Sequence, residues 1–185
     1  MVASRIALIS EVIMGHSPPG YSYNNNGIGV PLINGPTEFT KRNPIKKQWT
    51  TEPTRYCEPG DVLVCVRGSS TGRINIANDR YCIGRGVCAI RERCNSVNVF
   101  LESAVTEIVE RILLLSAGST FPSIDGSSIR GIQFWLPSKS EQIAIGEVLS
   151  DMDAEIGALE ARLAKARLIK LGMMQELLTG RIRLV

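Results

Sequence analysis

The spacing of hydrophobic positions changes several times along the chain, and each change predicts a different kind of element. Residues 5 to 14, RIALISEVIM, alternate imperfectly and fit either an edge strand or a short helix. The following GHSPPGYSYNNNGIG carries paired prolines, Gly20 and an Asn24 to Asn26 run, which exclude regular structure and place Tyr21 and Tyr23 in a loop. VPLI at 30 to 33 reads as a short strand. Residues 41 to 56, KRNPIKKQWTTEPTRY, mix basic side chains with Trp49, Tyr56 and two prolines, so an exposed excursion is expected there.

The middle of the chain reads as β. A Pro-Gly-Asp turn leads into VLVCV at 62 to 66, a continuous apolar run of strand length. Gly68 to Gly72 turns the chain into RINIA, NDR at 78 to 80 turns it again, and YCIGRGVCAIR is further strand material kinked at Gly84 and Gly86. Past Val97 the period becomes helical. Phe100, Leu101, Ala104, Val105, Ile108, Val109, Ile112 and Leu115 share one face, predicting a helix over 98–116 that ends near Gly118. Residues 118 to 137 return to loop and strand.

The last element carries the strongest pattern. Ser138 and Glu141 have the S-x-x-E spacing of a capping box directly after Pro137, and no proline follows before Thr179. Gly146, Gly157 and Gly172 each weaken such a helix by about 1 kcal/mol relative to Ala. A helix of about 40 residues is about 60 Å long. Ile145, Leu149, Met152, Ile156, Leu159, Leu163, Ala166 and Leu177 recur at a and d spacing, with Lys170 as the polar exception. This seam calls for a helical partner. The expected fold is therefore α+β: a β-rich domain with short helices over 1–137, then a long C-terminal coiled-coil helix over 138–185.

Composition sharpens the division of labour. A chain of 185 residues suffices for one domain and an appendage, and 17 Gly with 9 Pro argue against a helical bundle. Residues 41 to 93 hold eleven Lys or Arg against five Asp or Glu, whereas residues 139 to 185 hold seven of each. That asymmetry suits a domain that meets polyanion and a tail that meets protein. The N-terminus lacks the pattern of a signal peptide, and the oily run near residues 108 to 118 is too short and too charged to span a membrane, so a cytoplasmic location without membrane contact is expected.

Catalytic patterns are missing. Gly68-Ser-Ser-Thr-Gly72 has no following Lys and is not a nucleotide-binding P-loop, and no G-x-G-x-x-G joins a strand to a helix. Cysteines at 57, 65, 82, 88 and 94 lack zinc-ligand spacing and read as buried thiols, while His16, the one histidine, lies in a Pro-rich loop. Glu11, Glu38, Glu52, Glu58, Asp61 and Asp79 are scattered over different elements. No cofactor, no metal and no enzymatic activity are expected.

The chain resembles one half of the DNA-specificity subunit of type I restriction-modification systems. The resemblance is carried by EVIMGHSPPG at 11–20, IGVPLING at 28–35, PGDVLVCVRGSSTG at 59–72, CIGRGVCAIR at 82–91 and the helix LPSKSEQIAIGEVLSDMDAEIGALEARLAKARLIKLGMMQELLTGRIRL at 136–184. His16 stands where Gln is common, Arg181 replaces the usual Lys, and RGSSTG is unusually polar. The resemblance implies a non-catalytic target-recognition domain that binds double-stranded DNA and a spacer helix that docks methyltransferase and motor-nuclease subunits. In complete members two recognition domains are carried by an antiparallel helix pair, which implies a homodimer for a half-length chain.

On that reading Lys41, Arg42, Lys46 and Lys47 are candidate phosphate contacts. Arg67, Arg73 and Arg85, at strand ends beside glycines, are candidate guanine readers, and Asn34 a candidate adenine reader. The alternatives are a regulatory or decoy specificity fragment, a structural protein-binding adaptor, and a nuclease.

Overall fold

The computed structural model describes residues 2–93, 98–115, 123–131 and 133–184. Contacts divide the chain into Met1–Ile143 and Ala144–Val185. The chain opens with β1 (Val2–Arg5), α1 (Ile6–Ile9) and β2 (Ser10–Met14). The imperfect alternation of residues 5 to 14 thus resolves into strand, one helical turn and strand. Ser10 Oγ donates to Ile6 O at 2.9 Å and helps end that turn.

Next come β3 (Tyr23–Asn24), β4 (Val30–Ile33), β5 (Gln48–Thr50), β6 (Tyr56–Cys57), β7 (Val62–Cys65) and β8 (Ile74–Ile76). They are followed by β9 (Tyr81–Ile83), β10 (Val87–Glu92), α2 (Asn98–Leu115), α3 (Gly126–Gly131), β11 (Gln133–Leu136) and α4 (Lys139–Leu178). One sheet has the antiparallel order β2-β10-β7-β8, and a second the order β3-β5-β4-β9-β6 with β4 and β9 parallel. Antiparallel pairing of β1 with β11, from Val2↔Leu136 to Arg5↔Gln133, ties the start of this unit to the segment just before α4.

The core follows from strand alternation. Leu63, Cys65, Val87 and Ala89 of the first sheet share one buried cluster with Ile33, Cys57, Tyr81 and Ile83 of the second. Their alternating neighbours Val62, Val64, Cys88 and Ile90 are equally buried on the opposite face, which leaves no polar side to this stretch of sheet. Helix α2 packs against β7, and its Val105, Ile108 and Val109 are buried as their helical spacing requires. Asp61 and Arg91 pin the same sheet. Arg91 Nε lies 3.0 Å from Asp61 Oδ1 and Nη2 2.8 Å from Oδ2, while the Glu58 amide donates to Oδ2 at 2.8 Å.

Three sequence expectations need correction. The second half of the supposed excursion is β5, an inner strand between β3 and β4, and Thr50 is fully buried with its Oγ1 2.8 Å from Ser22 Oγ. Its burial comes from neighbours on both sides, which a short polar stretch does not advertise. Tyr23 belongs to β3 rather than a loop, preceded by a 3-10 turn at Gly20–Ser22. The segment read as loop and strand also holds α3, capped by the Asp125 carboxylate, which accepts from Ser128 N at 2.6 Å. The predicted helix end near Gly118 lies outside the described residues.

At the start of α4, Ser138 Oγ accepts from Glu141 N at 3.4 Å and Gln142 Nε2 donates to Pro137 O at 3.0 Å. The helix terminates at Gly180, whose φ of 72° closes the C-cap. Met152, Ile156, Leu159 and Leu163 are each more than half exposed in the single chain. No helix among the described residues is long and apolar enough to cross a membrane.

Candidate nucleic-acid interface

Four backbone segments meet at one end of the two sheets, and glycines let them meet. A Cβ on Gly84 would fall 1.9 Å from Asn34 Oδ1, one on Gly86 2.4 Å from Asn34 O, and one on Gly15 2.2 Å from Gly84 O. Main-chain hydrogen bonds then zip the segments together: Gly84 N to Ile33 O at 2.8 Å, Val66 N to Gly86 O at 2.9 Å, Gly15 N to Val87 O at 3.0 Å and His16 N to Ile83 O at 3.0 Å. Glycine inside a strand pattern marks close approach of another backbone. Of the two glycines read as kinks in the sequence, Gly84 lets Asn34 approach and Gly86 lines the floor of a site.

Above this floor opens a cleft of about 650 Å³ walled by Ser17, Tyr23, Asn34, Arg67 and Arg85. Ser17 Oγ accepts from Arg85 N at 3.2 Å and sets the course of that wall. Asn34 Nδ2 donates to Gln48 Oε1 at 3.4 Å, so a residue of β5 positions the amide. A second cleft of about 420 Å³ shares Arg67 and Gly68 with the first and adds Met14, Ser123, Ile124 and Asp125. Ile124 N bonds Val66 O at 2.9 Å and Arg67 pairs with Ser123 as an isolated antiparallel bridge, which fixes the common wall.

The sequence candidates separate into two groups. Asn34, Arg67 and Arg85 converge on the first cleft. Among the described residues no carboxylate holds the Arg67 or Arg85 guanidinium, and both side chains are exposed. Arg73 is exposed but is not part of either cleft wall. The basic stretch is largely engaged by the protein itself: Lys46 Nζ lies 2.5 Å from Asp79 Oδ2, Lys47 Nζ donates to Thr37 O at 2.6 Å, and Arg42 Nη2 meets Glu102 Oε2 at 3.3 Å. The hydrogen bond from Lys46 raises the lysine pKa and lowers that of Asp79. Lys41 is exposed.

Ser17, Tyr23, Gln48, Ser123 and Asp125 were not singled out from the sequence. For Asp125 a signal existed, because Asp-Gly-Ser-Ser carries N-cap chemistry. The Ser128 amide and the Ser127 hydroxyl hold its carboxyl down at about 2, so it is ionised at neutral pH. The thiols of Cys57, Cys65, Cys82 and Cys88 are free and buried, and burial pushes Cys57 and Cys88 up to about 12 and Cys65 to about 11. Thiols raised that far, as at Cys57, Cys65 and Cys88, stay protonated and make poor nucleophiles. Cys94 lies outside the described residues.

The fold is thus an α+β unit, two sheets over one core with an open cleft lined by Arg67 and Arg85, followed by a 40-residue helix. Residues 4–166 match the type I restriction modification DNA specificity domain, and the chain belongs to that family. It is 34% identical over 174 residues to a putative type I restriction enzyme specificity subunit, MjaX, of Methanocaldococcus jannaschii, covering 94% of this chain and 41% of that protein. Among solved structures it is similar to a chain from a study of complex assembly and conformational transition in the type I R-M system, with a TM-score of 0.79, 29% identity and coverage of 95% and 45%. The HsdS subunit from Thermoanaerobacter tengcongensis gives a TM-score of 0.76 at 28% identity, with coverage of 95% and 44%. The chain spans less than half the length of each of these relatives.

Proposed function

We propose that the chain is a sequence-specific DNA-recognition half of a type I specificity subunit, without catalytic activity of its own. The convergence on a single open cleft of one amide and two guanidiniums, neither held by a carboxylate among the described residues, carries this reading, because those are the groups that recognise guanine and adenine edges in the major groove. Lys41, together with Lys46 and Lys47 once these exchange their exposed partners Asp79 and Thr37 O for phosphate oxygens, supplies sequence-independent attraction. Helix α4 pairs as an antiparallel coiled coil with a second copy, and the resulting dimer presents two recognition units to a split, inverted DNA site. Methyltransferase and motor-nuclease subunits dock on this assembly. The exposed Met152, Ile156, Leu159 and Leu163 support the assembly role, since a contiguous apolar stripe is seldom left open to water.

Methylation mapping of DNA from cells expressing the chain with its cognate methyltransferase subunit tests the whole proposal. The expected outcome is modification at one split palindromic motif that disappears when the chain is omitted. Anisotropy titrations with duplex DNA test the interface directly, and affinity should fall steeply as salt rises. Binding that ignores salt, or no binding, would leave the protein-adaptor reading.

A further inference from the structure

The two clefts meet at Arg67, and the wall beyond it carries a charge of opposite sign. Arg67 pairs with Ser123 in an antiparallel bridge, Asp125 follows two residues later, and Arg67 and Asp125 both line the second cleft. The structure gives no ion pair between them among the described residues. The Asp125 carboxylate uses Oδ1 to accept from Ser127 Oγ at 2.7 Å and Ser128 N at 2.6 Å, which fixes its position. A fixed anion lining the same cleft as a cation is a poor phosphate site, because the carboxylate repels the phosphate that the guanidinium attracts. It is a good match for something that offers acceptors and a donor side by side.

A G·C pair does so in the major groove, where guanine shows the N7 and O6 acceptors and cytosine the N4 donor. Resting on the DNA-recognition reading above, we propose that Arg67 and Asp125 together read one G·C base pair, the guanidinium donating to guanine N7 and O6 and the carboxylate accepting from cytosine N4. Arg85, on the far wall of the first cleft, contacts a different position of the half-site. Asp125 is then both the cap of α3 and a specificity-determining residue.

Selection of bound duplexes from a randomised pool by the full chain, followed by sequencing, tests this. The variants are Arg67→Ala, Arg67→Lys and Asp125→Asn, the last chosen because Asn caps a helix as well as Asp and so leaves α3 intact. The wild type should enrich a motif with one G·C position that Arg67→Ala makes degenerate at a cost of about 10- to 100-fold in discrimination there, with the remaining positions unchanged. Arg67→Lys should keep the charge but lose part of that discrimination, since a point charge does not form the bidentate fork. Asp125→Asn should weaken the cytosine preference at the same position. An enriched motif whose every position survives all three variants, or an Arg67→Ala loss spread evenly over all sequences, overturns the assignment while leaving DNA recognition standing. A wild type that enriches no motif removes the recognition reading itself, and this assignment with it.

Discussion

Arg91→Met takes away the cation that neutralises Asp61 while keeping a long side chain on β10. After the change, the Glu58 amide at 2.8 Å remains as the carboxylate's donor among the described residues. The Asp61 side chain is 4% exposed and that of Arg91 33%, so water cannot replace the bonds lost by the carboxylate, whereas it can partly serve the guanidinium left behind in Asp61→Ala. One-sided removal of a buried pair costs about 3–5 kcal/mol. The Arg91→Met loss should fall in the upper part of that range and the Asp61→Ala loss near its lower end, at about 3 kcal/mol. Asp61→Leu combined with Arg91→Met leaves no unpaired charge and should recover most of the loss. The hydrogen bond to Asp61 raises the Arg91 pKa above an already high value, so the arginine is fully charged at the neutral pH of the measurement. Urea unfolding followed by tryptophan fluorescence at neutral pH measures all three variants, and a shifted midpoint at constant slope reports stability alone. Losses under about 1 kcal/mol in both single variants, or a larger loss for Asp61→Ala than for Arg91→Met, would refute the burial argument.

Other outcomes are equally direct. If the proposed dimer forms, Leu159→Glu with Leu163→Glu should convert it into a species near the 20.2 kDa chain mass in sedimentation, and a wild type that already sediments at that mass at tens of micromolar removes the dimer. Lys46→Ala with Lys47→Ala should weaken target and non-target DNA alike and flatten the log-log salt slope by up to about two units. Unchanged titrations would take that loop out of the interface. The depressed Asp125 carboxyl should stabilise the fold above the ordinary carboxylate range and lose that contribution as pH falls through about 2. The melting-temperature gap between wild type and Asp125→Asn should therefore narrow with acidification from pH 4 to pH 2, and a gap independent of pH contradicts it.

What the sequence conveyed depended on whether a signal was local. The apolar run at 62 to 66 and the spacing of Val105, Ile108 and Val109 declared buried elements directly, because burial there is written in consecutive residues. Strand β5 was missed because Gln-Trp-Thr is not an apolar pattern, and only the flanking β3 and β4 make it an inner strand. The Lys46–Asp79 ion pair was not legible in the sequence because the two residues lie 33 positions apart. For the cleft, residue type located Asn34, Arg67 and Arg85, but their convergence depends on main-chain bonds between distant segments. The glycines at 84 and 86 were visible, yet what they stand aside for was not.

The floor and rim of the cleft obey different rules of change. Gly15, Gly84 and Gly86 admit no side chain, since each would strike neighbouring backbone or Asn34. Arg67 and Arg85 are exposed, and among the described residues no carboxylate ties either guanidinium to the domain. Rim residues can therefore change without rebuilding the scaffold, while a single methyl group on Gly84 or Gly86 would displace the Asn34 atoms that shape the cleft.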